Sequence, residues 1–298
     1  MIKHFLMTKM ILIVLCFCNQ FGFAADVAGV QSGPEKIKIG LTAGGNPEAL
    51  KKESIFFAET LQNMIHIPIE IYISKNYDGL SEAVRTSKVD YAFLTALTYV
   101  ETDKVKPLKV LLKKTWSNPY YFSALISLKS KNIKKIKDIK KLKIAFVDRK
   151  STSGYLYPLV YLKDQKITEN DFKQIIFSGS HSASVELLES EKVDVIAVFS
   201  DDEKSKIGAW TRFGKLPKSK YHVLWTSDPI PNDPFVVQSD FYDKYPKISH
   251  DIMYNLIEMQ NDPLIRKKIN EVIGTGDLMP ATSKQYDPVR AMNKLLTQ

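Results

Sequence analysis

Cysteine is almost absent from this 298-residue chain: there are two, Cys16 and Cys18, both within the first 25 residues. The remainder has no disulfide and no thiolate metal site to draw on. Histidine is nearly as scarce. Beyond the start only His66, His181, His222 and His250 occur, scattered and without H-x-x-x-H spacing, which argues against a zinc enzyme. No serine sits in a G-x-S-x-G elbow, and the G-x-x-x-x-G-K phosphate cradle of nucleotide hydrolases is missing. After residue 25 no apolar run approaches the ~20 residues that a membrane-spanning helix needs.

What is present begins with an export pattern. Lys3, His4 and Lys9 precede the apolar run 10–17, and Gly22-Phe23-Ala24-Ala25 supplies small residues where a signal peptidase cuts. Residues 1–25 therefore read as a signal peptide cut at Ala24 or Ala25, and the protein is expected in the periplasm. The run is too short for a spanning helix. A lipid anchor would need a small residue before either cysteine, and Leu15 and Phe17 are large.

With 44% hydrophobic residues the chain can bury a substantial core, and its length favours two lobes over one. The formal charge of +9 falls to +7 once Lys3 and Lys9 are removed. Such a surplus suits an anionic ligand but speaks to steering and solubility, not to fold. The densest basic run, residues 129–143, has no aromatic residue between its lysines, so it reads as a solvated face and no nucleic-acid partner is expected.

An internal repeat outlines the architecture. Residues 82–90 read EAVRTSKVD and residues 186–194 read ELLESEKVD, each closing a helical pattern and opening an apolar strand, YAFLT or VIAVF. Upstream, KIKIG at 36–40 and KLKIA at 141–145 are matching Lys-flanked strands. Apolar strands alternating with helices indicate parallel sheets covered on both faces, so the fold class is α/β with two doubly wound lobes. Proline clusters, Ser117-Asn118-Pro119 and the stretch from Ser227 to Pro234, lead into YYFSALISL and FVVQS, which cross between the lobes. The expected organisation is a first lobe of residues 36–118 plus 231–298, a second of 119–230, and a hinged cleft between them.

In open parallel sheets ligands bind beyond the carboxyl ends of the strands, where loops run into helix N-termini. After the strand KLKIAFV comes Asp148-Arg149-Lys150-Ser151-Thr152-Ser153-Gly154, with a helix expected to begin near Gly154. Ser151, Thr152 and Ser153 can donate hydroxyl protons to a tetrahedral anion beside the helix's unpaired N–H groups. One of them can equally serve as an ordinary N-cap. The repeat superposes Tyr77 on His181, each entering the repeated helix, which places one polar side chain from each lobe in the cleft. After the next strands the first lobe offers Thr95, Thr98 and Tyr99, and the second offers Asp201 and Asp202. Asp233 lies in the proline-rich crossover. Carboxylates facing an anion are unfavourable unless they accept a proton from it or hold an ammonium group; otherwise these are turn and cap residues.

Three stretches in this order, STSGYLYP within 148–158, FSGSHSASVELLESEKVDVIAV and IPNDP at 230–234, resemble the phosphate, phosphite and phosphonate class of periplasmic substrate-binding proteins that serve ABC importers. The similarity spans about residues 36–290. It implies a type II periplasmic binding protein-like fold joined by a hinge, a small oxyanion as ligand, an inner-membrane ABC permease as partner, no cofactor, no catalysis and a monomer. It implies that Ser151, Thr152 and Ser153 donate to phosphonate oxygens, that His181 adds another oxygen contact, and that Tyr77 is the first lobe's partner. Asp233 matches an acidic position that holds the amine in aminoalkylphosphonate binders, and Asp201 stands where those carry Glu. Two positions depart from the pattern. Lys150 replaces the proline that commonly precedes the hydroxyl triplet, and the usual Gly-Pro pair is absent from Thr95-Ala96-Leu97-Thr98. Two other functions share these residues. A hydrolase would use Ser153, His181 and Asp201 as a triad, and a sensor would present the occupied lobes to a receptor instead of a permease.

Overall fold

The protein's structure, a computed structural model, describes residues 33–43, 47–115, 118–274 and 277–297. The signal segment 1–25 and Ser117 of the first proline cluster lie outside them.

Among the described residues twelve strands form two sheets: β1 (Ile37–Thr42), β2 (Ile69–Ser74), β3 (Tyr91–Phe93), β4 (Leu108–Thr115), β5 (Tyr120–Leu128), β6 (Lys143–Phe146), β7 (Gln174–Phe177), β8 (Val195–Ser200), β9 (Tyr221–Thr226), β10 (Ile230–Pro231), β11 (Pro234–Gln238) and β12 (Asp277–Pro280). The helices are α1 (Pro47–Ile65), α2 (Tyr77–Arg85), α3 (Ala96–Asp103), α4 (Tyr157–Asp164), α5 (His181–Glu189), α6 (Ala209–Arg212), α7 (Ser239–Lys244), α8 (Pro246–Glu258), α9 (Pro263–Ile273) and α10 (Asp287–Thr297).

One sheet runs β12-β4-β11-β3-β1-β2, and the other β10-β5-β8-β6-β7 with β9 also on β5. At the heart of each is a parallel trio, β2-β1-β3 in the first lobe and β7-β6-β8 in the second. The expectation of parallel sheets holds for these trios alone. Each is extended by an antiparallel strand that the chain forms after crossing from the other lobe: β11 beside β3, β5 beside β8. A strand entering a lobe through the hinge runs against the trio, and the remaining strands follow it by hairpin-like pairing. β5, central between β8 and β9, is buried from Phe122 to Leu128, which is why YYFSALISL reads as a continuous apolar run.

The sequence repeat is a repeat of bonding as well. Asp90 Oδ2 accepts from the Lys38 amide at 2.8 Å, and Asp194 Oδ2 from the Lys143 amide at 3.0 Å. Each KVD thus clamps the start of the neighbouring parallel strand. Ser87 and Glu191, 104 positions apart, both adopt φ of 55° in the turn after the repeated helix.

The lysine-rich stretch owes its spacing to burial of Ile133 and Ile139 in the second lobe's core, while Lys131 pairs with Glu191 and Asp194, and Lys140 with Asp171. After the second crossover, α8 and α9 pack on α1, and β12 completes the first sheet. The last helix bridges: α10 packs on α3 as well as on α4 and the turn before it. A single apolar cluster accordingly joins Leu80, Val84 and Leu97 to Leu156, Tyr157 and Ile230, with Tyr286 and Val289 between.

Candidate functional site

Four helices begin at one place, because each follows a strand of a parallel trio and the two trios face each other across the hinge. Their N-caps are Asn76 for α2, Thr95 for α3, Ser151 for the turn leading into α4, and Ser180 for α5. Each cap side chain accepts a backbone N–H of its own helix, from Gly79, Thr98, Gly154 and Ala183 respectively. The next residue at each helix start is Tyr77, Ala96, Thr152 or His181. Four positive helix ends converging on one space make it favourable to an anion.

That space is a cavity of about 270 Å³ lined by Tyr77, Thr95, Lys114, Tyr121, Ser151, Thr152, Ser153, His181, Phe199, Asp201, Asp233, Ile273 and Gly274. Of the nine residues singled out from sequence, eight are brought together here. Tyr99 is not: its hydroxyl bonds to Ser283 Oγ at 2.8 Å and accepts from Arg290 at 3.0 Å, so it ties α3 to the C-terminal segment. Of the further two candidates, Thr98 turns back on Thr95, and Asp202 accepts the amides of Lys206 and Ile207 in its own turn.

The hydroxyl triplet divides its work. Ser151 is the cap. Thr152 Oγ1 accepts the Leu97 amide across the lobes at 2.9 Å, and Thr95 Oγ1 donates to the Lys150 carbonyl at 2.9 Å, so the two helix starts hold each other. The backbone carbonyl of Ser153 accepts from Ser123 Oγ at 2.6 Å. The expected helix start near Gly154 lies earlier, and the first turn, Thr152–Leu156, is π-helical. Such widened turns recur at functional sites because they re-aim side chains. Gly154 packs on Val147 so closely that an added Cβ would come within 2.5 Å of it.

Lys150, at the position where a proline was expected, reaches Glu101 of the first lobe at 2.8 Å. The substitution gives the second lobe a further ionic contact to α3.

The cavity's titratable groups are all perturbed by burial. Tyr77 and Tyr121 are pushed above the usual phenol range by burial and, secondarily, by the Asp233 charge, so both stay protonated donors. Tyr121 lines the cavity together with Thr152 and Ser153. His181 is lowered to about 4 by burial and by the Arg212 charge, and its Nδ1 is buried with no hydrogen-bond partner among the described residues. Its ring packs edge-on to Phe199, whose face carries the Arg212 guanidinium. Asp201 is raised by burial while Arg212 donates to its Oδ1 at 2.8 Å. Asp233 is raised by burial and lies 3.8 Å from Lys114 Nζ.

Sequence reasoning missed Lys114, Tyr121, Phe199 and Arg212. Lys114 and Tyr121 flank the first crossover, at the end of β4 and the start of β5. They reach the cavity along hinge strands and not from a loop before a helix, so the strand-end rule passes them over. Phe199 lies in β8 and was legible only as core, while Arg212 acts from α6 through Asp201.

The depressed His181 gives a pH prediction. A folded pKa near 4 against the ordinary 6.5 means the unfolded chain binds the extra proton between those values, so stability rises with pH across that window and is lost as pH falls through it. The full effect is about 3 kcal/mol. Asp201 and Asp233, raised by burial, act oppositely at the acidic end, so the comparison must be differential. Thermal melts of the ligand-free protein from pH 7 to 4 should fall more steeply than those of His181→Gln.

A model of the family "ABC transporter, phosphonate, periplasmic substrate-binding protein" matches residues 39–286. The chain belongs to this phosphonate-binding family. Among relatives of the family, the probable ABC transporter phosphite binding protein PhnD1 of Prochlorococcus marinus is 23% identical over all of this chain and 98% of its own length. The phosphonates-binding periplasmic protein of Escherichia coli is likewise 23% identical, over 96% of this chain and 85% of its own. The solved structure of Prochlorococcus PhnD1 in complex with methylphosphonate superposes with a TM-score of 0.74 at 21% identity, over 89% of this chain and 99% of that one. The two-lobed α/β fold expected from the repeat is therefore the family's fold.

Proposed function

We propose that this protein is exported, captures a phosphorus oxyanion in the interlobe cavity and hands it to an ABC permease in the inner membrane. The observation that carries the reading is the convergence of four helix N-termini, three neutral hydroxyl side chains and two protonated phenols on one cavity. The names of its relatives, phosphite, phosphonate and phosphate binders among them, point the same way. Fixed donors around a buried anion replace its water shell, and lobe closure supplies the exclusion of solvent.

A hydrolytic reading finds no support in the geometry. Asp201 is bonded to Arg212, and His181 Nδ1 has no partner among the described residues, so the two side chains do not form the second link of a catalytic relay. Binding and release complete the task, and a monomer suffices for it.

Thermal-shift titration with methylphosphonate, phosphite, phosphate, 2-aminoethylphosphonate and sulfate tests the reading. A ligand at a hundred times its dissociation constant stabilises by about 2.7 kcal/mol, a shift of several degrees. A rise with at least one phosphorus compound and none with sulfate supports it. A response to sulfate alone, or to none of the five, overturns it.

A further inference from the structure

The cavity contains two carboxylates, and each already faces a cation of the protein. Asp201 Oδ1 accepts from Arg212 at 2.8 Å, with only 10% of the Asp201 side chain exposed. Asp233 Oδ2 lies 3.8 Å from Lys114 Nζ, with 27% of the Asp233 side chain and 15% of the Lys114 side chain exposed. The Lys114 pairing is built into the hinge. Lys114 is the penultimate residue of β4 and Asp233 opens the return into β11, and the Lys114 amide donates to the Asp233 carbonyl at 2.9 Å, so the two crossing strands hold the side chains next to each other. The Lys114 ammonium also lies over the Phe93 ring, 5.5 Å from its centre, and the residue lines the cavity.

We propose that Lys114, seated beside Asp233, is a specificity-determining residue that makes the cavity select phosphorus oxyanions without an amine over aminoalkylphosphonates. The inference rests on the oxyanion reading above. A ligand ammonium entering this space would need a carboxylate of its own. It would instead share Asp233 with Lys114 and meet a like charge a few ångströms away, in surroundings where burial weakens solvent screening. Asp201 offers no substitute, because Arg212 holds it. A compact ligand whose only charge is on the phosphorus oxygens meets no such conflict, and Lys114 adds to the potential that attracts it. The acid that suggests amine recognition in the sequence is thus neutralised by a lysine 119 positions earlier in the chain.

Isothermal titration of the wild-type protein with methylphosphonate and 2-aminoethylphosphonate, repeated with Lys114→Met and Asp233→Asn, tests this. Wild type should prefer methylphosphonate at least tenfold, and Lys114→Met should move the ratio at least tenfold toward the amine by freeing Asp233. Asp233→Asn, which keeps an oxygen acceptor but leaves Lys114 without its counter-charge, should tighten methylphosphonate binding several-fold. Wild-type preference for the amine overturns the inference, as does an unchanged ratio in Lys114→Met. Loss of both ligands in a folded Lys114→Met overturns it too, because Lys114 would then be a direct oxyanion contact. Should Lys114→Met fail to fold, weaker methylphosphonate binding in Asp233→Asn is sufficient to reject it. Absence of binding by wild type to either compound and to phosphite and phosphate removes the oxyanion reading itself, a result distinct from a wrong preference.

Discussion

Replacing Ser151 and Thr152 together with alanine should lower affinity for the preferred phosphorus oxyanion at least a hundredfold, with the fold retained. Hydrogen bonds to a charged group are worth about 1.5–3 kcal/mol each, and this change removes two hydroxyls at a helix start. The two losses differ in kind. Ser151 caps the π-helical turn through Gly154, so its removal also costs about 1 kcal/mol of stability. Thr152 accepts the Leu97 amide of the first lobe, so its removal leaves a buried N–H without a partner and weakens the contact between lobes. Calorimetric titration measures the affinity, and a melt of the ligand-free variant measures the stability cost separately. An affinity within threefold of wild type would show that the oxyanion is held elsewhere. His181→Ala should lose about tenfold to a hundredfold in the same titration, since one neutral imidazole donor is removed.

Tyr286→Ala should be the more damaging change to the fold, at about 3–5 kcal/mol, although the residue does not line the cavity. Tyr286 is fully buried, packs edge-on to Tyr99 at 5.1 Å, and donates its hydroxyl to the Asn232 carbonyl at 2.7 Å. It therefore pins the second crossover, next to Asp233, to the C-terminal segment and α3. Alanine leaves a cavity within the close-packed apolar cluster that joins the lobes. Tyr286→Phe keeps the ring and should cost only about 1–2 kcal/mol, the loss of one hydrogen bond from a buried acceptor. Chemical denaturation of both variants separates the contributions. Equal losses for the two would place the stabilisation in the hydroxyl alone.

Lys114 and Asp233 show how a site is assembled from parts that sequence order keeps apart. Nothing in LKVLLKKT distinguishes Lys114 from Lys113, and alternation along a strand sends the two to opposite faces. Lys113 is buried with its ammonium over the Tyr120 ring, whereas Lys114 enters the cavity. The difference lies in the register of β4 against β11, which pairs Lys113 with Pro234 and brings Lys114 beside Asp233. Tyr121 is similar. Its strand was legible as a crossover, but its place in the cavity depends on β5 inserting between β8 and β9, which brings it alongside Thr152, Ser153 and Asp233.

Local chemistry by itself determined the parallel trios, the repeated strand and helix units, the capped helix starts and the residues that occupy them. Those features follow from short-range rules of periodicity, capping and turn geometry, and the 104-residue repeat states them twice. Tertiary structure alone decided that Tyr99 faces Arg290 instead of the cavity, that Asp201 is held by Arg212, and that Lys114 stands beside Asp233. Each is a contact between segments whose separation in sequence carries no information about their separation in space. Such contacts follow from how the two crossing strands and α10 pack the lobes together.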